Sequence, residues 1–516
     1  MKRTPLFDLH KASAARIINL KGFARPVEYA GHAEEHRAIR ERVSICDVSH
    51  MGEIEFTGKD ALALVDKLIT NNASRLEVGQ ALYTVMCNEH GYVIDDLVCL
   101  RVGEERFLWV VNVTKTDEDY RWILKNAEGF DVGIRNLSTD LALIALQGPY
   151  AGETLQKIAE ADLSGMAYYR LTETTVMTQE MEVPCIVSRT GYTGERGYEI
   201  CVARDLAPFV WQELMRVGRP LGILPHGVAA RESARTEAGY LLNGNDMDDR
   251  TYPHEVGLDW VVKLDGDFIG RDALAQVAEK GVSRKLVGLE IEGCQTIRHG
   301  YPILKNGKKI GHVTSGPLSP QLLGSTSSLG FGVIESSHAQ DNDLFEIDAR
   351  GNRYMARIVS APFCERHVRD DAKIHTLSPY GLRYSTHHLW VRDDNAGILT
   401  VGLTEFGQRD LGEVLFVHPP KPGDSIVKGS PIGWLDTYRK HFDIITPVSG
   451  TIVSANASIA ARPSDVNKFP YLRDGLVQIE SSIPGELDEL MPFPAYMDFT
   501  RNLERYETWS QELRLT

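Results

Sequence analysis

Asn88-Glu89-His90-Gly91-Tyr92-Val93-Ile94-Asp95-Asp96-Leu97-Val98 reads as a tight turn that runs into a strand carrying two adjacent carboxylates. Gly91 supplies the positive φ such a turn needs, and Val93, Ile94, Leu97 and Val98 are strand formers on either side of the acids. Side chains alternate across a strand, so Asp95 and Asp96 point to opposite faces: one can enter a pocket while the other meets solvent or a backbone donor. Outward from the turn, 82–86 reads as the preceding strand and 107–112 as a later one. Tyr83, an aspartate and Asn112 then share a sheet and make a polar floor for a flat heterocycle. An isolated Asp-Asp more often caps turn amides, but the flanking hydroxyl and amide favour a catalytic acid here.

The surrounding elements suggest an α+β unit. The spacing predicts an amphipathic stretch over 9–20 and helices over 36–42, 60–69 and 115–127. Ser49 and His50 are neighbours on a predicted strand and so face opposite sides, which rules out a nucleophile and base pair; His50 reads as structural or substrate-lining. A second α+β stretch starts near Leu141, with a strand at 142–146 and a helix opened by Gly148-Pro149. Ser188 to Ile200 holds three glycines in a loop that ends on a strand. It lacks a Gly-Lys-Ser/Thr ending and opens no helix, so close backbone approach to a planar ligand fits it better than a phosphate cradle. Glu199 sits in the apolar strand that follows, where either a ligand with paired donors or an internal arginine could satisfy it. Arg231 and Arg235 lie one turn apart on a predicted helix over 227–240: one is free to bind a ligand, the other to pair with Glu232 or Glu237.

From Arg284 the pattern becomes all-β, with a hairpin at Asn306-Gly307, and predicts a compact barrel. A charged run at 365–373 marks a boundary. Beyond it, two similar β halves at 423–437 and 446–458, joined across 438–443, predict a flattened barrel presenting a tight turn. The tail over 485–509 reads as helical segments interrupted by Pro492 and Pro494.

Composition limits the function classes. The formal charge of −15 over 516 residues disfavours a nucleic-acid or anionic-membrane partner, while still allowing a local basic pocket for a carboxylate. Seven scattered cysteines with no CxxC pair read as reduced, buried thiols, and suggest neither a disulfide framework nor a metal site. No signal core or membrane-length apolar run is present, so a cytoplasmic location is expected.

Several motifs together carry a family resemblance: Lys2-Arg3-Thr4-Pro5-Leu6, 47–53, 87–97, 188–194 and Tyr252-Pro253-His254-Glu255-Val256-Gly257-Leu258-Asp259-Trp260. Through them residues 1 to about 364 resemble the T-protein of the glycine cleavage system, an aminomethyltransferase. Residues 383 to about 490 resemble that system's lipoyl carrier, the H-protein, through Trp390-Val391-Arg392, 407–414 and Pro447-Val448-Ser449-Gly450. The resemblance implies a multidomain folate-binding α+β fold over 1–280, a β-barrel over 281–364, a linker over 365–382, and a mostly β H-like domain with a helical tail over 383–516.

It further implies transfer of a methylene unit from an aminomethyl-dihydrolipoyl carrier to tetrahydrofolate, with release of ammonia. Asp96 takes the position of the catalytic carboxylate, Glu199 and Arg231 those of folate contacts, and Tyr83, Asn112 and Tyr192 line the same pocket. Tetrahydrofolate, a lipoylated H-protein and other glycine cleavage components are the implied partners. Arg439 stands at the lipoyl-lysine position, with Lys440 adjacent, which implies an unmodified H-like domain. Smaller departures are Phe23, Tyr92 and Cys364. Two other readings compete: a tetrahydrofolate-dependent demethylase of a small methylated amine or sulfur compound, and a non-catalytic folate-binding regulator.

Overall fold

The computed structural model describes residues 1–293, 297–317, 327–340, 344–368, 381–394, 397–404, 406–408, 414–437, 441–461, 475–500, and the single residues 463, 466 and 503. The chain divides into two compact units, 1–371 and 372–516.

In the first unit the acidic turn falls where the sequence places it. Strands Gln80–Cys87 and Val93–Gly103 pair antiparallel around it, and Gly91 adopts φ +81°. A Cβ on Gly91 would also come within 3.1 Å of the Leu274 side chain, so both conformation and space call for glycine there. These strands belong to a five-stranded sheet completed by Arg106–Val111, Gly52–Thr57 and Gly133–Asn136. One face is covered by helices Ala61–Leu68 and Thr116–Asn126, whose apolar stripes bury Leu64, Val65 and Ile123 against Ile54, Phe56 and Trp109.

The other face packs on a six-stranded sheet that includes Ser44–Asp47, Leu141–Gln147 and Gly197–Ala203. Ala81, Leu100 and Leu108 of the first sheet share one buried cluster with Cys46, Leu143, Ala145 and Cys201 of the second. Helix Ala207–Gly218 closes the outer side of the six-stranded sheet through Val210, Trp211 and Leu214. The site residues lie on these two facing sheets, on loops at the ends of their strands and on helix Val228–Glu237.

The predicted barrel is present as a closed six-stranded barrel running from Arg284–Glu292 to Asn352–Val359. Its Asn306-Gly307 hairpin has positive φ at both residues, +53° and +76°, as the twist-matched two-residue turn requires.

Three local expectations are corrected. The stretch over 9–20 is not one amphipathic element: helix Phe7–Ala12 ends before Ala14, which takes φ +54°, and strand Arg16–Leu20 then pairs with Phe23–Glu28. Ser49 and His50 lie in a turn rather than on a strand, and the Ser49 hydroxyl is spent on the Leu143 carbonyl. In the tail, Pro492 sits in the short strand Met491–Pro492 that pairs with Arg383–Tyr384, and Pro494 falls in the first turn of the helix over 493–500, where a missing N–H costs nothing.

The second unit is mostly β, with a seven-stranded and a three-stranded sheet over a core that includes Val391, Val401, Leu435, Ile452 and Ile479. Gly402 lets the Trp390 ring lie flat on its strand, since a Cβ there would stand 2.2 Å from the indole. The predicted turn residues Tyr438, Arg439 and Lys440, and most of the charged run after Val368, lie outside the described residues.

Candidate functional site

Register builds the floor of the site. Val85 stands opposite Asp96 and Met86 opposite Asp95, so the two aspartates face opposite sides of the sheet and Tyr83, two residues from Val85, shares the face of Asp96. The Tyr83 hydroxyl donates to Asp96 Oδ2 at 2.9 Å. Asn112 follows the end of strand Arg106–Val111 and bridges both acids: its side-chain amide donates to Asp95 Oδ1 and to Asp96 Oδ1 at 2.9 Å each, and its backbone N–H donates to Asp95 Oδ2 at 2.9 Å. The expected polar floor of tyrosine, aspartate and asparagine is therefore assembled. Asp96 is the half-buried member, facing the other sheet; Asp95 is fully buried on the helix side.

Burial, and then the neighbouring Asp95, push Asp96 above the usual carboxylate range, while the Tyr83 and Asn112 donors pull the other way. Behind Asp95 lies Asp119 of the Thr116–Asn126 helix, which is completely buried. No N–H or hydroxyl among the described residues reaches either Asp119 oxygen, and the group it meets is the Asp95 carboxyl. Two acids in such contact hold a proton between them, and burial followed by Asp95 raises Asp119 accordingly. Nothing in the sequence signals this pairing, because Asp119 sits in an acidic helical run that looks solvated.

Glu199 and Arg231 form the opposite wall. Glu199 Oε2 accepts from the Thr190 hydroxyl at 2.5 Å; burial pushes its carboxyl up, opposed by Thr190 and by the Arg231 charge. The Arg231 guanidinium lies over the Tyr192 ring, 5.1 Å from its centroid. Tyr192 in turn stacks on Tyr240 and donates its hydroxyl to the Leu241 carbonyl. Its ring stands within the field of Asp96, which joins the wall to the floor. Arg235, by contrast, is fully buried and bonded to Glu232, Asp246 and Ser315, so of the two helix arginines it is the structural one. The sequence reading also missed Trp260, which stacks on Tyr83 at 6.0 Å and remains 55 % exposed at the rim.

Because Asn112 satisfies both acids, Asn112→Ala is expected to slow turnover roughly tenfold, since a partly buried acceptor is left unpaired. Losing a donor to the ionised form also raises the Asp96 carboxyl further, so the pH of half-maximal rate moves up. A pH–rate profile of the variant checks both. A wild-type profile would mean that Asn112 only supports the fold.

With this geometry in hand, the likeness to known proteins is specific. The GCVT N-terminal domain matches residues 6–266, the glycine cleavage T-protein C-terminal barrel domain matches 284–365, and the glycine cleavage H-protein matches 382–503. The aminomethyltransferase of Halothermothrix orenii is 43 % identical over 364 residues, covering 70 % of this chain and all of that protein. That of Thermotoga petrophila is 45 % identical over 370 residues, covering 72 % of this chain and 99 % of that protein. The crystal structure of the glycine cleavage aminomethyltransferase T from Bartonella henselae superposes with a TM-score of 0.65 at 30 % identity, over 71 % of this chain and 99 % of that one. Likeness of this extent to named aminomethyltransferases marks the chain as a transferase. The chain belongs to the glycine cleavage T-protein (aminomethyltransferase) family, and it carries a C-terminal H-protein domain.

Proposed function

We propose that the first unit transfers a methylene unit from an aminomethyl-dihydrolipoyl donor to tetrahydrofolate, releasing ammonia, with Asp96 as the catalytic carboxylate. The observation that carries this reading is the placement of Asp96: half-buried, raised by its surroundings, and oriented by Tyr83 and Asn112 on the sheet face opposite Asp95. A carboxyl held in that way orients an amine and moves a proton as bonds to nitrogen form and break. Tetrahydrofolate supplies the amine nitrogens that receive the one-carbon unit.

The donor set of the opposite wall suits a pterin. Glu199 has one oxygen on Thr190 and no hydrogen-bond donor on the other among the described residues, so it can accept from the amino and ring N–H groups of a pterin edge. Arg231 offers a guanidinium that no acceptor among the described residues occupies. Tyr83 and Tyr192 are held well above their ordinary range, mainly by burial; their hydroxyls stay protonated on Asp96 and on the Leu241 carbonyl, and their rings serve as flat walls. Release of methylenetetrahydrofolate and ammonia from aminomethyl-dihydrolipoamide, compared with turnover of a small methylated amine, tests the donor.

For the second unit we propose that the H-protein domain is not lipoylated. Arg439 stands at the attachment position, and a guanidinium does not accept a lipoyl amide under the chemistry that modifies lysine. A shift of one position along a turn redirects a side chain, so Lys440 is expected to be a poor replacement for the attachment lysine. The domain would then dock, imitate a carrier or bind another component, and a separate carrier would deliver the aminomethyl group. Intact-mass analysis of protein made with an active lipoyl ligase and lipoate is expected to show the unmodified chain. A lipoyl increment mapped to Lys440 would overturn this and make the chain its own donor.

A further inference from the structure

We propose that Lys21, Arg25 and Arg231 form an anion-binding subsite beside the Asp96 pocket, and that the group it takes is a carboxylate. Arg25 lies on strand Phe23–Glu28 and is 9 % exposed; Arg231 lies one turn into helix Val228–Glu237. The two elements touch: a Cβ on Gly227, at the start of the helix, would stand 2.2 Å from the Val27 carbonyl oxygen, so only glycine lets the helix begin against this strand. Lys21 occupies the turn that leads into the same strand, with Arg25, Glu232 and Asp95 all within its field. Charges of one sign converge here, and the repulsion shows: burial, then Arg231, lower the Arg25 guanidinium to about 10.

Among the described residues, Lys21, Arg25 and Arg231 have no hydrogen-bonded or ion-paired acceptor for their side chains. Glu199 lies within the field of Arg231 but is hydrogen-bonded to Thr190. The nearby carboxylates are already engaged: Asp47 with His10 and the Ser49 amide, Glu35 with the amides of Tyr29, Ala30, Gly31 and Gly227, and Glu232 with Arg235. The remaining neighbours are neutral. His50 and His226 are buried with an unpartnered Nδ1, and burial and the arginines hold both rings uncharged; burial raises the Cys46 thiol to about 11. A buried guanidinium such as Arg25, beside a second arginine and without an ion-paired acid among the described residues, is costly unless a ligand supplies the counter-charge.

Two guanidinium forks match the paired oxygens of a carboxylate. The choice of carboxylate over other anions rests on the function proposed above, whose acceptor carries a glutamyl tail and whose one-carbon chemistry extends to amino-acid substrates or products. The shared chemistry has two sources, and titration calorimetry on the full chain separates them. One pair of probes is tetrahydrofolate against tetrahydropteroate, which lacks the glutamyl group; the other is N-methylglycine against methylamine.

In one pair the wild type is expected to prefer the carboxylate-bearing member by about tenfold, as for a charge-assisted pair of hydrogen bonds. Arg25→Gln should reduce that preference to less than about threefold, Arg25→Lys should keep most of it, and tetrahydropteroate binding should be unchanged in both. A preference confined to the folate pair assigns the subsite to the tail; one confined to the amine pair assigns it to a small carboxylate substrate or product. Should Arg25→Gln fail to fold, Lys21→Gln at its exposed turn gives the same reading with a smaller loss. Equal binding within both pairs by the wild type, or a full preference in the glutamine variants, overturns the proposal. Failure of tetrahydropteroate to bind the wild type would instead strike the folate reading, leaving the amine pair to judge the subsite.

Discussion

Asp96→Asn is expected to lower turnover with an aminomethyl-dihydrolipoyl donor by about 100-fold or more, while tetrahydrofolate affinity changes much less. The substitution keeps the shape and one acceptor for Tyr83 but removes the group that takes a proton. The pH dependence follows from the direction of the shift. Asp96 is raised from the usual carboxylate value to about 7, burial contributing most and Asp95 next. A carboxylate that must be ionised to accept a proton gives a rate that rises with pH through that value and levels off above it. That rising limb should vanish in Asp96→Asn.

Asp95→Asn makes the contrasting variant. Asp95 faces Asp119 and the helix layer, so its loss should weaken the fold around Asn112 before it touches the chemistry. Wild-type turnover in Asp96→Asn, with the damage in Asp95→Asn, would assign catalysis to the other face of the strand.

Glu199→Ala is expected to weaken tetrahydrofolate binding by about 2–3 kcal/mol, roughly 100-fold, because paired donors on the ligand lose a charged acceptor. The existing bond from Thr190 reaches only one oxygen, which leaves the other for the ligand. Fluorescence or calorimetric titration of the variant checks this. Unchanged affinity would make Glu199 a structural partner of Thr190 and Arg231.

These two sites differ in how far the sequence discloses them. The acidic turn was legible because its signals are local: a glycine with positive φ, strand formers around the acids, and a period of two that separates Asp95 from Asp96. The Asn306-Gly307 hairpin and the barrel were legible for the same reason. Glu199 could be flagged only as an acid in an apolar strand, since its partners Thr190 and Arg231 come from a loop and a helix that meet through tertiary packing.

Asp119 and Arg25 carried no usable signal at all. An acid in a charged helix and an arginine in a short strand both look solvated until the sheets and helices close over them. The break at Ala14 was missed because alanine rarely takes a left-handed conformation, and the short strand at Pro492 because its pairing partner lies more than a hundred residues away.

The central claim, that this chain moves a one-carbon unit from an aminomethyl thioether to folate, is tested most directly by its choice of donor. The full chain is incubated with tetrahydrofolate and either aminomethyl-dihydrolipoamide or a small methylated amine, and methylenetetrahydrofolate and ammonia are measured together. Equal yields of the two products from aminomethyl-dihydrolipoamide, abolished in Asp96→Asn, are the predicted result. No product from that donor, with folate-dependent turnover of the methylated amine instead, would contradict it and make the chain a demethylase built on the same pocket.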